Sequence, residues 1–396
     1  MGNLAHDKPT LMTTALASLT FRDICQRMLF TELAITHILF YHQKLPGARL
    51  LPILKGSPRI VSYIQSISIS GGSPFQLDNR PSRLAEDSDL AEVLHLLSLQ
   101  GRVNSISLSD LRWSKLPSTT RNTISVLCRS RSIQKASVRR SPVQLAGLFG
   151  QSLKHLTISL SISSLLSLPA NSSLELSTPA SQLQSLHIVL WRFPDQSKLP
   201  EIVDFLLDPT TAIGVQVLRD LRIIQAPAPL SGARHGPYDP SLQRLLSACG
   251  SSLETFTFTA PANPVQSVIL DLSPLTNLRK IRIFWSDAKM IQGFTQIIET
   301  VRLETPLATV CFRHAAVRLC PLEPMAEYWV NLDKACARLH KHGRLAQVAF
   351  DFPELVDRVA SKVEAAHAAI EKALPRVRAA GILYLDSPCG SWKRST

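Results

Sequence analysis

The residues of this sequence that most resemble a metal-binding pattern, in type and spacing, are a cysteine and two histidines near residue 340. Cys336 and His340 are four residues apart, so on a helix both would face one side and could reach one metal ion. His342 would point elsewhere, and no fourth ligand lies nearby in the sequence. We therefore predict no metal site and interpret the histidines as solvated residues near a positively charged helix end.

Catalytic chemistry has no recognisable centre in the sequence. Serine is abundant, but the Gly-x-Ser-x-Gly turn that presents the nucleophile of many hydrolases is absent. The phosphate-binding loop of nucleotide hydrolases, the His-Glu-x-x-His motif and the kinase signatures are absent as well. We predict that the protein is not an enzyme, has no catalytic residues and needs no cofactor.

The seven cysteines indicate a reducing compartment. They are odd in number and widely spaced, and no Cys-x-x-Cys pair occurs, which disfavours both a disulfide framework and a cysteine-rich zinc site. We expect most of these thiols to be small buried groups and the protein to be cytoplasmic or nuclear. No uninterrupted apolar run reaches about 18 residues, so we expect no membrane span.

The chain of 396 residues is basic, with a formal net charge of +13. Such an excess permits weak attraction to nucleic acid or to an anionic membrane. The densest basic run carries no aromatic side chains on which bases could stack. It consists of Arg129, Arg131, Lys135, Arg139 and Arg140. We interpret it as a solvated rim and expect neither a nucleic-acid nor a membrane partner; a weak charge-driven nucleic-acid binder is the alternative.

A short apolar pattern recurs along most of the chain. An apolar residue is followed by two polar residues, an apolar one, a polar one and another apolar one, and the last three alternate as in a half-buried strand. Strict matches begin at Ile64, Val103, Leu153, Leu183, Leu218, Leu253 and Leu278. Looser matches begin at Ile133, Leu307, Leu345 and Ala380. Successive matches lie about 32 residues apart on average, which accommodates a strand, a turn and a helix.

Helix signals fall between these matches. Ser88 precedes an apolar helical face that runs to Leu99, Pro142 and Pro240 are first-turn prolines, and residues 324–342 and 354–374 have helical periodicity. Repeated strand–helix units bury little alone but share one core when they stack.

We predict an α/β leucine-rich-repeat-like solenoid, with a parallel inner sheet and outer helices, over residues 61–386. Residues 1–60 are predicted to form a helical N-terminal cap and residues 387–396 a disordered tail. The middle apolar residues of successive strands should form one stacked layer. They are Leu156, Leu186, Leu221, Phe256 and Ile281. The alternative is an ordinary α/β domain with leucine-rich strands.

The repeat pattern resembles that of irregular leucine-rich repeat proteins from about Ile64 to Leu385. In front of it, residues 15–22 (ALASLTFR) and 26–30 (QRMLF) resemble the end of an F-box as fungal F-box proteins carry it. Residues 50–54 and 57–64 are similar to the segment that follows in those proteins. The Leu-Pro start of the first F-box helix is missing here. The chain thus resembles a fungal F-box-like leucine-rich repeat protein with an incomplete or missing F-box.

In that family the F-box docks on the adaptor of a cullin-RING ubiquitin ligase, and the repeats hold the substrate. The resemblance implies a substrate-receptor ancestry and an adaptor-binding remnant formed by Phe21, Arg27 and Phe30. Because the first part of the F-box is missing, we predict that residues 1–396 do not bind the adaptor. The alternatives are a plain capping helix at residues 11–33 and a repeat scaffold with no ubiquitin role.

The polar residues between the apolar strand positions should point onto the concave face of the sheet, because alternate strand residues share a face. The first strands present mainly serines there, whereas later strands add several cations and a single acid, Asp220. The predicted partner-binding residues are Arg222, Lys280 and Arg282, with His155 and His187 beside them. Such a face favours a protein partner with an acidic or phosphorylated segment; the alternative is that these are ordinary solvated strand residues.

Overall fold

The structure is a computed structural model, and it describes residues 7–17, 19–36, 45–72, 83–99, 102–160, 181–191, 199–211, 213–226, 240–259, 269–285, 289–314, 326–352, 360–386 and 392–394. The chain divides into two compact units. Unit 1 comprises residues 1–183 and 208–214, and unit 2 comprises residues 184–207 and 215–396.

The described part of unit 1 contains helices, parallel strands and two short 3-10 turns. Its helices are α1 (Lys8–Ala17), α2 (Leu19–Phe30), α3 (Pro46–Gly56), α4 (Pro58–Tyr63), α5 (Arg83–Glu86), α6 (Leu90–Leu99) and α7 (Ser118–Cys128). Its strands are β1 (Glu32–Thr36), β2 (Ser66–Ser70), β3 (Ser105–Ser109), β4 (Lys135–Arg139) and β5 (His155–Leu160), and a separate parallel pair is formed by β6 (Ser181–Gln182) and β8 (Ile213–Gly214). The 3-10 turns are Trp113–Lys115 and Val143–Leu148.

Strands β1 to β5 pair in parallel, each with the next one in the sequence. Their register stacks one fully buried residue from each strand into a continuous apolar layer. The layer consists of Ile35, Ile69, Leu108, Val138 and Ile158. Helix α6 buries its apolar face as predicted, because Leu90, Val93, Leu94 and Leu97 are all inaccessible to solvent. The segment after Pro142 is helical as predicted, but its hydrogen bonding is 3-10.

Strand β1 corrects the prediction of an entirely helical cap over residues 1–60. It pairs with β2 in register, and Ile35 is fully buried in the apolar layer. The spacing Phe30, Leu33, Ile35 is the repeat pattern itself. Ala34 occupies the position where the pattern requires a polar residue, so the strand was not recognised. The first strand therefore lies about one repeat earlier than predicted.

Unit 2 has the same alternation of strands and helices. Its strands are β7 (Ser185–Trp191), β9 (Asp220–Ala226), β10 (Thr255–Thr259), β11 (Lys280–Trp285), β12 (Thr309–His314), β13 (Gln347–Asp351), β14 (Leu383–Asp386) and β15 (Trp392–Arg394). Its helices are α8 (Leu199–Leu207), α9 (Pro240–Cys249), α10 (Lys289–Glu299), α11 (Ala326–Lys341), α12 (Ala360–Ala373) and α13 (Pro375–Ala379).

Strands β7 and β9 to β14 pair in parallel, in chain order. The register confirms the predicted layer within this unit. It aligns Leu186, Leu221, Phe256, Ile281, Val310, Val348 and Leu383, all fully buried. Leu156 holds the equivalent position in β5 of unit 1 and is also buried.

The helices of unit 2 cover the apolar face of its sheet. Phe294 of α10 packs edge-on against Phe312 of β12, with 4.8 Å between ring centroids, and lies 6.3 Å from Phe258 of β10. Trp329 of α11 lies 6.0 Å from Phe350 of β13. The opposite sheet face, which carries the alternate residues, is not part of this packing and holds the polar side chains.

The C-terminal end departs from the predicted disordered tail. Residues 392–394 form β15, which pairs antiparallel with the edge strand β14; the other residues after Asp386 lie outside the described part. An unpaired edge strand offers free backbone groups to any nearby extended segment, and composition does not reveal such pairing.

The strand order confirms an α/β leucine-rich-repeat-like solenoid with a parallel inner sheet and outer helices in each unit. Doubly wound α/β domains reorder their strands about a switch point. Here each main-sheet strand within a unit lies beside the next strand in the sequence, as stacking of successive repeats requires.

Candidate partner-binding face

The polar face of unit 2 is the sheet surface that carries Arg222, Thr257, Arg282, Cys311 and Arg313. Thr257 of β10 is in register with Arg222 on one side and Arg282 on the other. Neighbouring strands lie about 4.8 Å apart, so the backbones of the two arginines are about 10 Å apart with the threonine between them. Lys280 belongs to the same face, two residues before Arg282.

Arg222 and Arg282 differ in how their charges are compensated. The Arg222 Nε lies 3.0 Å from Oδ2 of Asp220 in the same strand, and the Ser185 hydroxyl donates a hydrogen bond to that oxygen at 3.3 Å. Within the described part of the chain, Lys280 and Arg282 form no ion pair with a carboxylate. The uncompensated positive charge of the face is therefore centred on β11.

The middle of the polar face is closed by short side chains. Thr257 is 1% exposed and Cys311 is 5% exposed, although both lie on the side opposite the apolar core. Thr257 Oγ1 has no hydrogen-bond partner among the described residues. Burial raises the pKa of the Cys311 thiol, and the charge and hydrogen bond of Arg282 oppose that rise. Cys311 is thus a neutral thiol against the Arg282 side chain.

Arg313 is a cation of this face that the sequence prediction missed. Its guanidinium carbon lies 5.8 Å from the ring centroid of Phe284, and its Nε is 3.7 Å from Oδ2 of Asp351. The signal was present, because Thr309, Cys311 and Arg313 alternate as the other strand residues do. The prediction considered the polar residues between the apolar positions of a match, and Arg313 follows Phe312, the last apolar position of its match.

The two predicted histidines belong to different strands, β7 and β5. His187 lies in β7 in register with Arg222, and it is half-buried on the polar face of unit 2. His155 is an exposed residue of β5 in unit 1. The structure places Arg222, Lys280, Arg282 and His187 on one sheet face of unit 2, and His155 belongs to unit 1.

The predicted adaptor-binding remnant lies on α2. Phe21 is 47% exposed and Phe30 is half-buried at the last residue of the helix. Arg27 instead makes contacts within the chain: its Nη2 is 2.8 Å from Oδ2 of Asp23, and its guanidinium lies 5.4 Å from the ring centroid of Tyr63. Helix α2 packs against α1 through a small core of Leu11, Ala15 and Cys25.

The candidate metal ligands do not converge in the described part of the chain. Cys336 is fully buried, and burial raises the pKa of its thiol to about 12. His340 Nδ1 lies 2.8 Å from the carbonyl oxygen of Leu345, and His342 is exposed. Among the described residues, no three side chains of His, Cys, Asp or Glu are grouped so that they could hold a metal ion.

The basic run predicted as a solvated rim lies in unit 1. Arg129, Arg131, Lys135 and Arg139 are exposed, and Arg140 Nη2 is 2.7 Å from Oδ2 of Asp110. The described helices include none whose length and hydropathy would allow it to cross a membrane.

No protein-family model matches this sequence, and no curated protein matches it. Among solved structures, the chain is similar to the leucine-rich repeat-containing protein LegL7 from Legionella pneumophila. The two share 12% sequence identity over 92% of this chain and 85% of that one, with a TM-score of 0.38. The leucine-rich-repeat character of this chain is carried by its own strand order, register and buried layers.

Proposed function

We propose that this protein is a protein-recognition module that uses the polar face of unit 2 to hold an acidic or phosphorylated segment of a partner. The observation that carries the proposal is the row in which Arg222 and Arg282 flank the buried Thr257, with Lys280 two residues from Arg282. Two planar guanidinium groups suit carboxylate and phosphate oxygens, which they bind in pairs. Lys280 and Arg282 are available because no described carboxylate pairs with them.

The side chains of the polar face suit binding rather than catalysis. Its central thiol is buried and its pKa is raised, so it is not a nucleophile at neutral pH. The long cationic side chains stand on a rigid parallel sheet and between short residues, so a peptide could lie across several strands. We therefore propose a binding role without catalysis, in the cytoplasm or the nucleus.

A charge-reversal pair tests this proposal. Lys280→Glu with Arg282→Glu breaks no described ion pair, and the matched control is Arg302→Glu with Lys334→Glu, two exposed cations of the same unit. Fluorescence polarisation would be measured with acidic, phosphoserine-containing and glutamine-substituted versions of one peptide library. Each charge-assisted hydrogen bond contributes about 1.5–3 kcal/mol, so the test pair should weaken binding by about 100-fold or more.

Three results would contradict the proposal. Equal binding of the glutamine-substituted peptides would show that peptide charge is not needed for binding. An equal loss of affinity in both variant pairs would show that only the net charge of the protein matters, and not the position of Lys280 and Arg282. Gel shifts with nucleic acid that fall steeply with salt, at higher affinity than any peptide, would favour a nucleic-acid binder instead. Circular dichroism of both variant pairs checks that the fold is retained, because Lys280 and Arg282 are half-buried, whereas the control residues are exposed.

The second candidate is a substrate receptor of F-box-like ancestry in a ubiquitin ligase. The observation that favours it is the exposed apolar surface of α1 and α2, where Met12, Leu16, Phe21 and Ile24 are 45–82% exposed. Exposed apolar patches of this kind mark protein contacts. Co-purification of residues 1–396 with the ligase adaptor tests it; a stoichiometric complex would support this candidate, and its absence would contradict it.

A further inference from the structure

We propose that a pocket in unit 1, at the start of strands β1 to β3, binds a phosphomonoester group. The pocket has a volume of about 450 Å³ and is lined by three arginines and a single acid. The arginines are Arg27 of α2, Arg59 of α4 and Arg102 just before β3, and the acid is Asp23. This site lies in a different unit from the polar face, and the proposal does not rest on the proposed function.

The acid of the pocket is already engaged. Tyr63 donates its phenolic hydrogen to Asp23, and Arg27 forms an ion pair with the same carboxylate at 2.8 Å. The Tyr63 hydrogen bond, together with the nearby charges of Arg27 and Arg59, holds the pKa of Asp23 below its ordinary value. Asp23 therefore stays ionised and compensates one arginine, while two remain without a carboxylate partner in the described part of the chain.

Of the two remaining arginines, Arg102 contacts the last turn of helix α4, whereas a helix end does not explain Arg59. Cations are stabilised near the C-terminal end of a helix by its exposed carbonyl groups. Arg59 is the second residue of α4, at the opposite end of that helix. Arg102 donates one hydrogen bond, at 3.3 Å, to the carbonyl oxygen of Ser62; the other N–H groups of its guanidinium can still serve a ligand.

The chemistry of the lining indicates the ligand class. Every cation in the pocket is an arginine, whose planar fork binds phosphate oxygens in pairs. Two uncompensated positive charges match the charge of about −2 that a phosphomonoester carries at neutral pH. The volume is in the range of small-molecule pockets, so it admits the phosphate with part of the group that carries it.

Isothermal titration calorimetry on the full chain tests the proposal. The probes are inorganic phosphate, free phosphoserine, a phosphoserine peptide and the same peptide with unmodified serine. Arg59→Ala with Arg102→Ala should weaken phosphate binding by at least about tenfold, as the loss of charge-assisted bonds requires. The matched control, Arg49→Ala with Arg131→Ala, removes two exposed arginines of the same unit and should leave the affinity unchanged.

A second variant separates binding from folding. Asp23→Asn removes the negative charge of the pocket and keeps an oxygen that can accept the Tyr63 hydroxyl, so phosphate affinity should rise by about threefold or more. A misfolded variant would not gain affinity. Preference for the phosphopeptide over free phosphoserine identifies a protein-borne phosphate, and equal affinity identifies a small phosphorylated molecule; either supports the site. No phosphate binding, equal binding of the unmodified peptide, or equal losses in the two arginine pairs would overturn it.

Discussion

Truncation of Leu221 to alanine should remove a large part of the stability of unit 2. Leu221 is fully buried in β9, and the register places it between Leu186 and Phe256, which are also fully buried. Backbone hydrogen bonds on both sides hold the neighbouring strands about 4.8 Å away, so these neighbours cannot close the cavity. Leucine-to-alanine changes in cores cost about 2–5 kcal/mol and cost most where the site cannot collapse. We therefore expect a loss of about 3–5 kcal/mol.

Urea unfolding followed by tryptophan fluorescence measures this loss. With a slope of about 2 kcal/mol/M, the unfolding midpoint should fall by about 1.5 M or more. Leu221→Met keeps the volume and should cost less than about 1.5 kcal/mol. Val330→Ala is the exposed control, because Val330 is 45% exposed on α11, and it should change stability by less than about 0.5 kcal/mol. A midpoint for Leu221→Ala within the range of the Val330→Ala variant would refute the stacked layer.

Three further predictions concern buried polar groups. Asp333 is 3% exposed and accepts hydrogen bonds from two backbone N–H groups of α13 at 3.0–3.2 Å. Asp333→Ala should therefore reduce the free energy of unfolding by about 2–3 kcal/mol and lower the thermal unfolding temperature; an unchanged temperature would contradict this role. Burial raises the pKa of Asp87 above its ordinary value of 3.8. The contribution of Asp87 to stability is therefore full below about pH 4 and is lost as pH rises through the raised pKa. Asp87→Asn should flatten the stability–pH curve in this range, and an identical curve would argue against the shift. The thiols of Cys128 and Cys336 are fully buried, and their pKa values are raised. Both should react with a thiol reagent only after denaturant is added; fast labelling of the native protein would contradict their burial.

Local sequence determined where most strands lie, because strand alternation is a property of a few adjacent residues. The eleven matches from which strands were predicted each correspond to a described strand, whereas a further strict match at Ile298, Val301 and Leu303 begins in helix α10. The failures have local causes as well. Strand β1 was not predicted because Ala34 stands where the pattern requires a polar residue. Helix α7 was not predicted because its composition is polar; Thr120 is buried there beside Ile124 and Leu127.

Sequence alone also placed Arg222, Lys280 and Arg282 on one sheet face, since period-two alternation and repeat spacing suffice for that. It did not show which of these charges are compensated. The Arg313–Asp351 pair joins neighbouring strands 38 residues apart in the chain, and only the register decides that the two side chains meet.

The unit 1 pocket depends wholly on tertiary structure. The sequence singled out Arg27 for its resemblance to an F-box residue, whereas Tyr63, its aromatic neighbour, comes from another helix and Arg102 from the segment before β3. These residues carry no common spacing, since loops of different length bring them together. Periodicity fixes which face of an element is buried, because burial acts on neighbouring residues; it cannot fix which distant side chains share a pocket, because that depends on how the repeats stack.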